Sequence, residues 1–221
     1  MIEGRDHFQK ELLKLNDLIL KMGGMVEQSI VGSVEALAKS NPKKAQEIMR
    51  ADDLIDRLEL EIDDLCLELL ATQQPMASDL RFITTGLRIC SDLERIGDLA
   101  VDIAQRAVEL SNQPLLKPLI DIPKMAELAE KMVHKSLDAF VKKDAELARS
   151  LWQDEEKADS YRNLIHDELV AIMIGDPQAT PRALPLILIS RHLERIADHA
   201  TNIAEDVVYM VEGKVIKHAP K

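Results

Sequence analysis

The sequence predicts an all-α protein, six helices arranged as two pseudo-symmetric antiparallel three-helix bundles that arose by internal duplication. Three observations carry this. "LERIGD" at Leu93 to Asp98 returns as "LERIAD" at Leu193 to Asp198, one hundred residues on, about half of the 221-residue chain. Aromatic residues make up only 3%, so a core must be built from Leu, Ile, Val, Met and Ala, the residues of helix bundles. Prolines separate long segments of helical period, and no strand-like alternation competes.

The elements follow in order. Helices are predicted over 6–40, 42–73, 78–112, 122–143, 145–174 and 181–212. Pro42 suits a first turn capped by Asn41, and Asp144 opens the corresponding helix of the second half; Ser78 and Thr180 are expected to cap the third and sixth. Pro75, Pro177 and Pro181 fall at helix junctions, Pro185 near the start of the last helix and Pro220 beyond its end. Pro114, Pro118 and Pro123 crowd into "SNQPLLKPLIDIP", the strongest linker signal, which divides the chain into repeats 1–113 and 114–221. The duplication reaches further than six letters. "MVEQS" (Met25–Ser29) matches "MVHKS" (Met132–Ser136), and "DDLID" (Asp52–Asp56) matches "EEKAD" (Glu155–Asp159). Short loops imply antiparallel neighbours within each repeat.

In the third helix Ile89, Leu93, Ile96, Ala100, Ile103 and Ala107 form a seam with steps of four and three; one hundred residues later stand Ile189, Leu193, Ile196, Ala200, Ile203 and Val207. A core explains these. It does not explain the repeated Glu94, Arg95 and Asp98, or Glu194, Arg195 and Asp198, which fall outward of the seam. Glu94 and Asp98 are one turn apart, as are Asp52 and Asp56, and Glu155 and Asp159; Asp102 continues the first stripe and Asn202 replaces it in the second. Two readings stay open: a solvated face laced with weak ion pairs, or a carboxylate-dense surface suited to a hard cation. His199, beside Asp198, is read as an added nitrogen ligand or as a surface histidine without a role.

The formal charge of −11 argues against nucleic acid and favours a cation or a basic protein patch. Cys66 and Cys90 form no CxxC and are expected to be reduced thiols in the cytoplasm. No apolar run suffices to span a membrane, so membrane contact is expected only through partners. "MIEGR" does not read as a signal peptide, and its IEGR resembles a protease-site scar. Catalytic signatures are missing: no HExxH, no phosphate loop, no GxGxxG, and no Glu-x-x-His.

At "LERIGDLAVDIA" and "LERIADHATNIA", joined with "MGGMVEQSI", "DDLID" and "PMASDLR", the chain resembles the PhoU family of phosphate-uptake regulators across almost its whole length. The resemblance implies a cytoplasmic, dimeric, non-enzymatic protein that represses phosphate-starvation signalling. It implies a link between the phosphate ABC transporter, through its ATPase subunit, and a membrane sensor histidine kinase. It also implies metal ions (iron, manganese, magnesium or zinc) on the E/D-xxx-D motifs. Here these are Asp52/Asp56 and Glu94/Asp98, then Glu155/Asp159 and Glu194/Asp198, with Asp102 and Asn202 as further oxygen donors. The alternative is a carboxylate-bridged multinuclear metal protein or metalloenzyme. Gly23 and Gly24, inside a helix, are read as a close-packing point or a kink. Arg81, Arg88 and Arg95, seven residues apart, are read as pairing with nearby carboxylates or with a partner. Met22, Met25 and Met132 are read as core filler.

Overall fold

A computed structural model describes residues 2–216, with side chains from Asp6 onward, so the side chains of "MIEGR" and all of Pro220 lie outside the described residues. The described residues are helical, without strands. The helices are α1 (Ile2–Ala38), α2 (Pro42–Gln73), α3 (Ala77–Leu110), α4 (Asp121–Lys142), α5 (Ala145–Arg149), α6 (Trp152–Gly175) and α7 (Thr180–Glu212). α1, α2 and α3 pack together as the first bundle; α4, the α5–α6 pair and α7 repeat it. The six helices of the sequence are present, the fifth broken in two.

The break coincides with a contact from α4. The Ser150 hydroxyl donates to the Leu147 carbonyl, and the Ser150 carbonyl accepts from Lys135 Nζ at 3.2 Å. That carbonyl is therefore engaged from α4 where a continuous helix would bond along its own axis. Two caps hold: Asn41 Oδ1 accepts from the Lys44 amide, and Asp144 Oδ1 from the Glu146 and Leu147 amides. Two do not. α3 begins at Ala77, after Met76, which makes no side-chain cap, so Ser78 lies inside the helix. Thr180 is the first residue of α7, and the capping carboxylate is Asp176, which serves the Gln178 amide of a short 3-10 turn, Pro177–Ala179, ahead of it.

Both seams are fully internal: Ile89, Leu93, Ile96, Ala100 and Ile103 and their counterparts Ile189 to Ile203 are inaccessible to solvent. The buried apolar residues of the two repeats form one continuous cluster, because α3 lies along α7 and α1 against α4. Gly23 makes the second contact possible. A methyl there would meet Leu137 Cδ1 at 2.2 Å, whereas one at Gly24 would meet nothing within 4 Å. Gly23 is thus a packing point and Gly24 is not. Met22 and Met132 are core residues, with Met25 packed against the core. Cys66 and Cys90 are free and buried, and burial pushes the Cys66 thiol up to about 12. Among the described residues, no helix is long and apolar enough to cross a membrane.

Candidate functional site

The repeated acidic residues lie where α2 meets α3 and where α6 meets α7. In the first repeat the Asp52 carboxyl is pushed up to about 6, first by burial and then by Asp56, Asp98 and Asp53. Glu94 is raised by burial and by Asp98, with Glu59 and Asp56 adding to the effect and Arg95 opposing it. Six carboxylates from two helices are therefore close enough to resist one another's ionisation. In the second repeat Asp198 is pushed up to about 6 by loss of water around its carboxyl, then by Glu194, Glu155 and Asp159. Asp198 nonetheless keeps an exposed edge.

The faces are less open than the heptad pattern implied. Glu94 is 18% exposed and Glu194 21%, because α3 and α7 have neighbours on several sides and the flank beside each seam is roofed by α2 or α6. Gly97 sets the approach in the first repeat: a methyl there would sit 3.1 Å from Asp52 Oδ1 and 3.3 Å from Ile55 Cδ1. Ala197 occupies the equivalent buried position in the second repeat.

Asp102 and Asn202 lie elsewhere. One turn past Asp98 the helix has rotated toward α7, and Asp102 Oδ2 is 3.7 Å from His192 Nδ1. Asn202 Nδ2 donates to Asp92 Oδ1 at 3.4 Å, where His199 Nδ1 also lies at 2.8 Å. These two contacts are related by the duplication, and they join the repeats instead of enlarging the carboxylate groups. His199 is neither idle nor turned into the acidic cluster. Arg95 meets Glu94 and Asp98. Arg88 reaches α7, where Nη1 donates to Asp206 Oδ1 at 3.0 Å, and Arg81 Nε donates to the Met210 carbonyl.

Sequence reasoning passed over the residues that make the two faces unequal. Asp52, Asp56, Glu59 and Asp63 follow one another at steps of four, three and four, so the acidic stripe of α2 is longer than the motif. Glu59 is raised by burial, Asp63 and Asp56. Its counterpart on α6 is Arg162, which binds Glu194 Oε1 through Nε at 3.1 Å and Nη2 at 3.0 Å. Extending the same offset past the motif would have found both.

Oxygen donors on adjacent helices match a hard cation in chemistry. Among the described residues, however, no three His, Cys, Asp or Glu side chains already stand in a metal-holding arrangement.

A family model described as the PhoU domain matches residues 19–107 and again residues 122–207. The chain belongs to the PhoU domain family. The twofold PhoU match also places one domain in each three-helix repeat. PhoU relatives named "Phosphate-specific transport system accessory protein PhoU homolog" include one from Aquifex aeolicus, 40% identical over 95% of both chains. Another, from Pseudomonas aeruginosa, is 40% identical over 96% of this chain and 88% of its own. The crystal structure of PhoU from Pseudomonas aeruginosa superposes with a TM-score of 0.90 at 40% identity, covering 94% of this chain and all of that one. That of the phosphate transport system regulatory protein PhoU from Streptococcus pneumoniae gives 0.88 at 31%, covering 95% and 99%.

Proposed function

We propose that this protein is a non-enzymatic accessory regulator of phosphate transport, which restrains phosphate uptake and represses phosphate-starvation signalling. The relatives' names support the transport role, and the two PhoU repeats span the lengths over which those relatives align. In this reading the protein works in the cytoplasm as a homodimer. It touches the membrane only through the ATPase subunit of a phosphate ABC transporter and through a sensor histidine kinase.

The single observation that carries a role for the acidic faces is the mutual opposition of carboxylates. Holding Asp52 and Asp198 near a pKa of about 6 costs folding energy at neutral pH, and a structural ion pair would not incur that cost. A cation would offset it. Asp52, Asp56, Glu94 and Asp98 would hold one in the first repeat, and Glu155, Asp159, Glu194 and Asp198 one in the second. A bound ion would neutralise and stiffen the face that partners read. Arg95 lies against Glu94 and Asp98 in the first face, but it is 59% exposed, and Glu59 stands where the second face has Arg162, so the first face is the stronger metal site.

The test is elemental analysis of protein purified without added metal or chelator, beside Glu94→Ala/Asp98→Ala and Glu194→Ala/Asp198→Ala variants, followed by co-purification with the ATPase subunit with and without the ion found. The reading expects metal lost mainly with the first pair and binding of the ATPase subunit in the wild type. Folded, metal-free wild type would move the acids from metal chemistry to direct contact with a basic partner. Failure to retain either the ATPase subunit or the kinase would sink the regulatory reading.

A further inference from the structure

The internal duplication allows each residue of one repeat to be compared with its twin, and one place has changed sign. Between α6 and α7 an open cavity of about 290 Å³ is lined by Arg162, His166, Ile187, Ser190, Arg191 and Glu194. In the first repeat the twins of these six are Glu59, Asp63, Leu87, Cys90, Ser91 and Glu94, using the offsets that align the two motifs. Two acids have become a guanidinium and an imidazole, a serine has become a second guanidinium and a thiol has become a hydroxyl. Only Glu94 and Glu194 are the same. A carboxylate-rich patch in one repeat is therefore a cation-rich pocket in the other, within a chain of net charge −11.

The pocket groups are not all consumed internally. Arg162 is spent on Glu194 and on Asn163 Oδ1, at 2.7 Å. Arg191 has no ion pair or hydrogen bond among the described residues. His166 turns Nδ1 to the exposed Asp167. Arg162 and His166 are one turn apart on α6, and Ile187, Arg191 and Glu194 follow the same spacing on α7, so the lining comes from two rigid helices. With Glu194 neutralised by Arg162, Arg191 leaves the pocket with an unbalanced positive charge.

We infer that the α6–α7 cavity is a binding site for a small tetrahedral oxyanion, with inorganic phosphate as the ligand. A planar guanidinium supplies paired N–H donors that suit two oxygens of such an anion. Arg191 is the primary ligand, and Arg162 holds Glu194 out of competition for it. His166 contributes a further donor when protonated. The site lies in the repeat with the weaker carboxylate face, so cation and anion chemistry are divided between the two repeats. This inference stands apart from the regulatory reading: failure to bind phosphate would leave that reading intact, and loss of partner binding would leave this one intact.

The experiment is a phosphate titration of the full chain followed by phosphorus NMR and calorimetry, in chelator so that metal on the acidic faces cannot recruit the anion. It uses wild type, Arg191→Ser, which installs the first-repeat residue, and Arg57→Ser, which removes an exposed guanidinium on α2. Arg191 is exposed, so its replacement should keep the helical circular dichroism of the wild type. Saturable binding is expected in wild type and Arg57→Ser, displaced by sulfate but not by equal ionic strength of chloride. Arg191→Ser should weaken it about tenfold or more, the effect of losing a charge-assisted pair. No saturation up to roughly 10 mM phosphate would overturn the inference. So would binding untouched by Arg191→Ser, or lost equally in Arg57→Ser.

Discussion

Replacing Asp52 with Asn removes one charge from the most crowded carboxylate group without changing its size. The wild-type carboxyl is raised from 3.8 to about 6, by burial first and then by Asp56, Asp98 and Asp53. Between pH 4 and 6 the folded protein keeps a proton that the unfolded chain has released. Stability therefore falls as pH rises through that window, and the cost is constant above it. Two pH units correspond to a ceiling of ~3 kcal/mol. The carboxyl is only partly buried, and solvent screening reduces this to about 1 kcal/mol. Asp52→Asn should thus be more stable than wild type by about 1 kcal/mol at pH 7.5, with the gain vanishing near pH 4. Urea denaturation in chelator at several pH values measures it. A difference that does not change with pH, or a less stable variant at pH 7.5, would refute the electrostatic account.

Other expectations concern packing and charge. Gly23→Val should destabilise by ~1–3 kcal/mol through overpacking against Leu137, whereas Gly24→Ala should stabilise by up to ~1 kcal/mol; paired thermal melts compare them. Arg88→Met should cost more than Asp206→Asn, by ~1–2 kcal/mol, because Asp206 is 1% exposed and Arg88 is 53% exposed, so a buried charge loses its guanidinium in the first variant and an exposed one its carboxylate in the second. Denaturation of both variants at neutral pH tests the asymmetry, and equal losses would contradict it. A divalent ion that binds the first acidic face should flatten the wild-type stability slope between pH 4 and 6 and raise the midpoint at neutral pH. Arg162→Gln should release Glu194 and raise the metal affinity of the second face toward that of the first, as read by equilibrium dialysis.

Helix positions were legible because each is a local property. Periodic Leu and Ile, an Asn before Pro42 and an Asp at 144 specify helices whatever they pack against. The exceptions occurred where a distant group intervened. Lys135, on α4, takes the Ser150 carbonyl where the predicted fifth helix breaks, and no pattern near Ser150 announces a lysine fifteen residues away. For the candidate site, the motif revealed which acids repeat but not which meet. Asp98 and Asp102 look equivalent in the sequence, yet one turn of helix carries the second from the α2 side to His192 on α7.

The sequence by itself determined the helices, their duplication and the identity of the repeated carboxylates, since spacing along one helix sets which residues share its face. Only the tertiary structure decided what each face meets. It joined the two repeats into one core through α3 and α7 and covered most of Glu94 and Glu194. It also set Arg162 against Glu194 where the first repeat has Glu59. Charge along a helix is written in its letters, but the energy of that charge depends on the neighbours and the water that packing brings or removes.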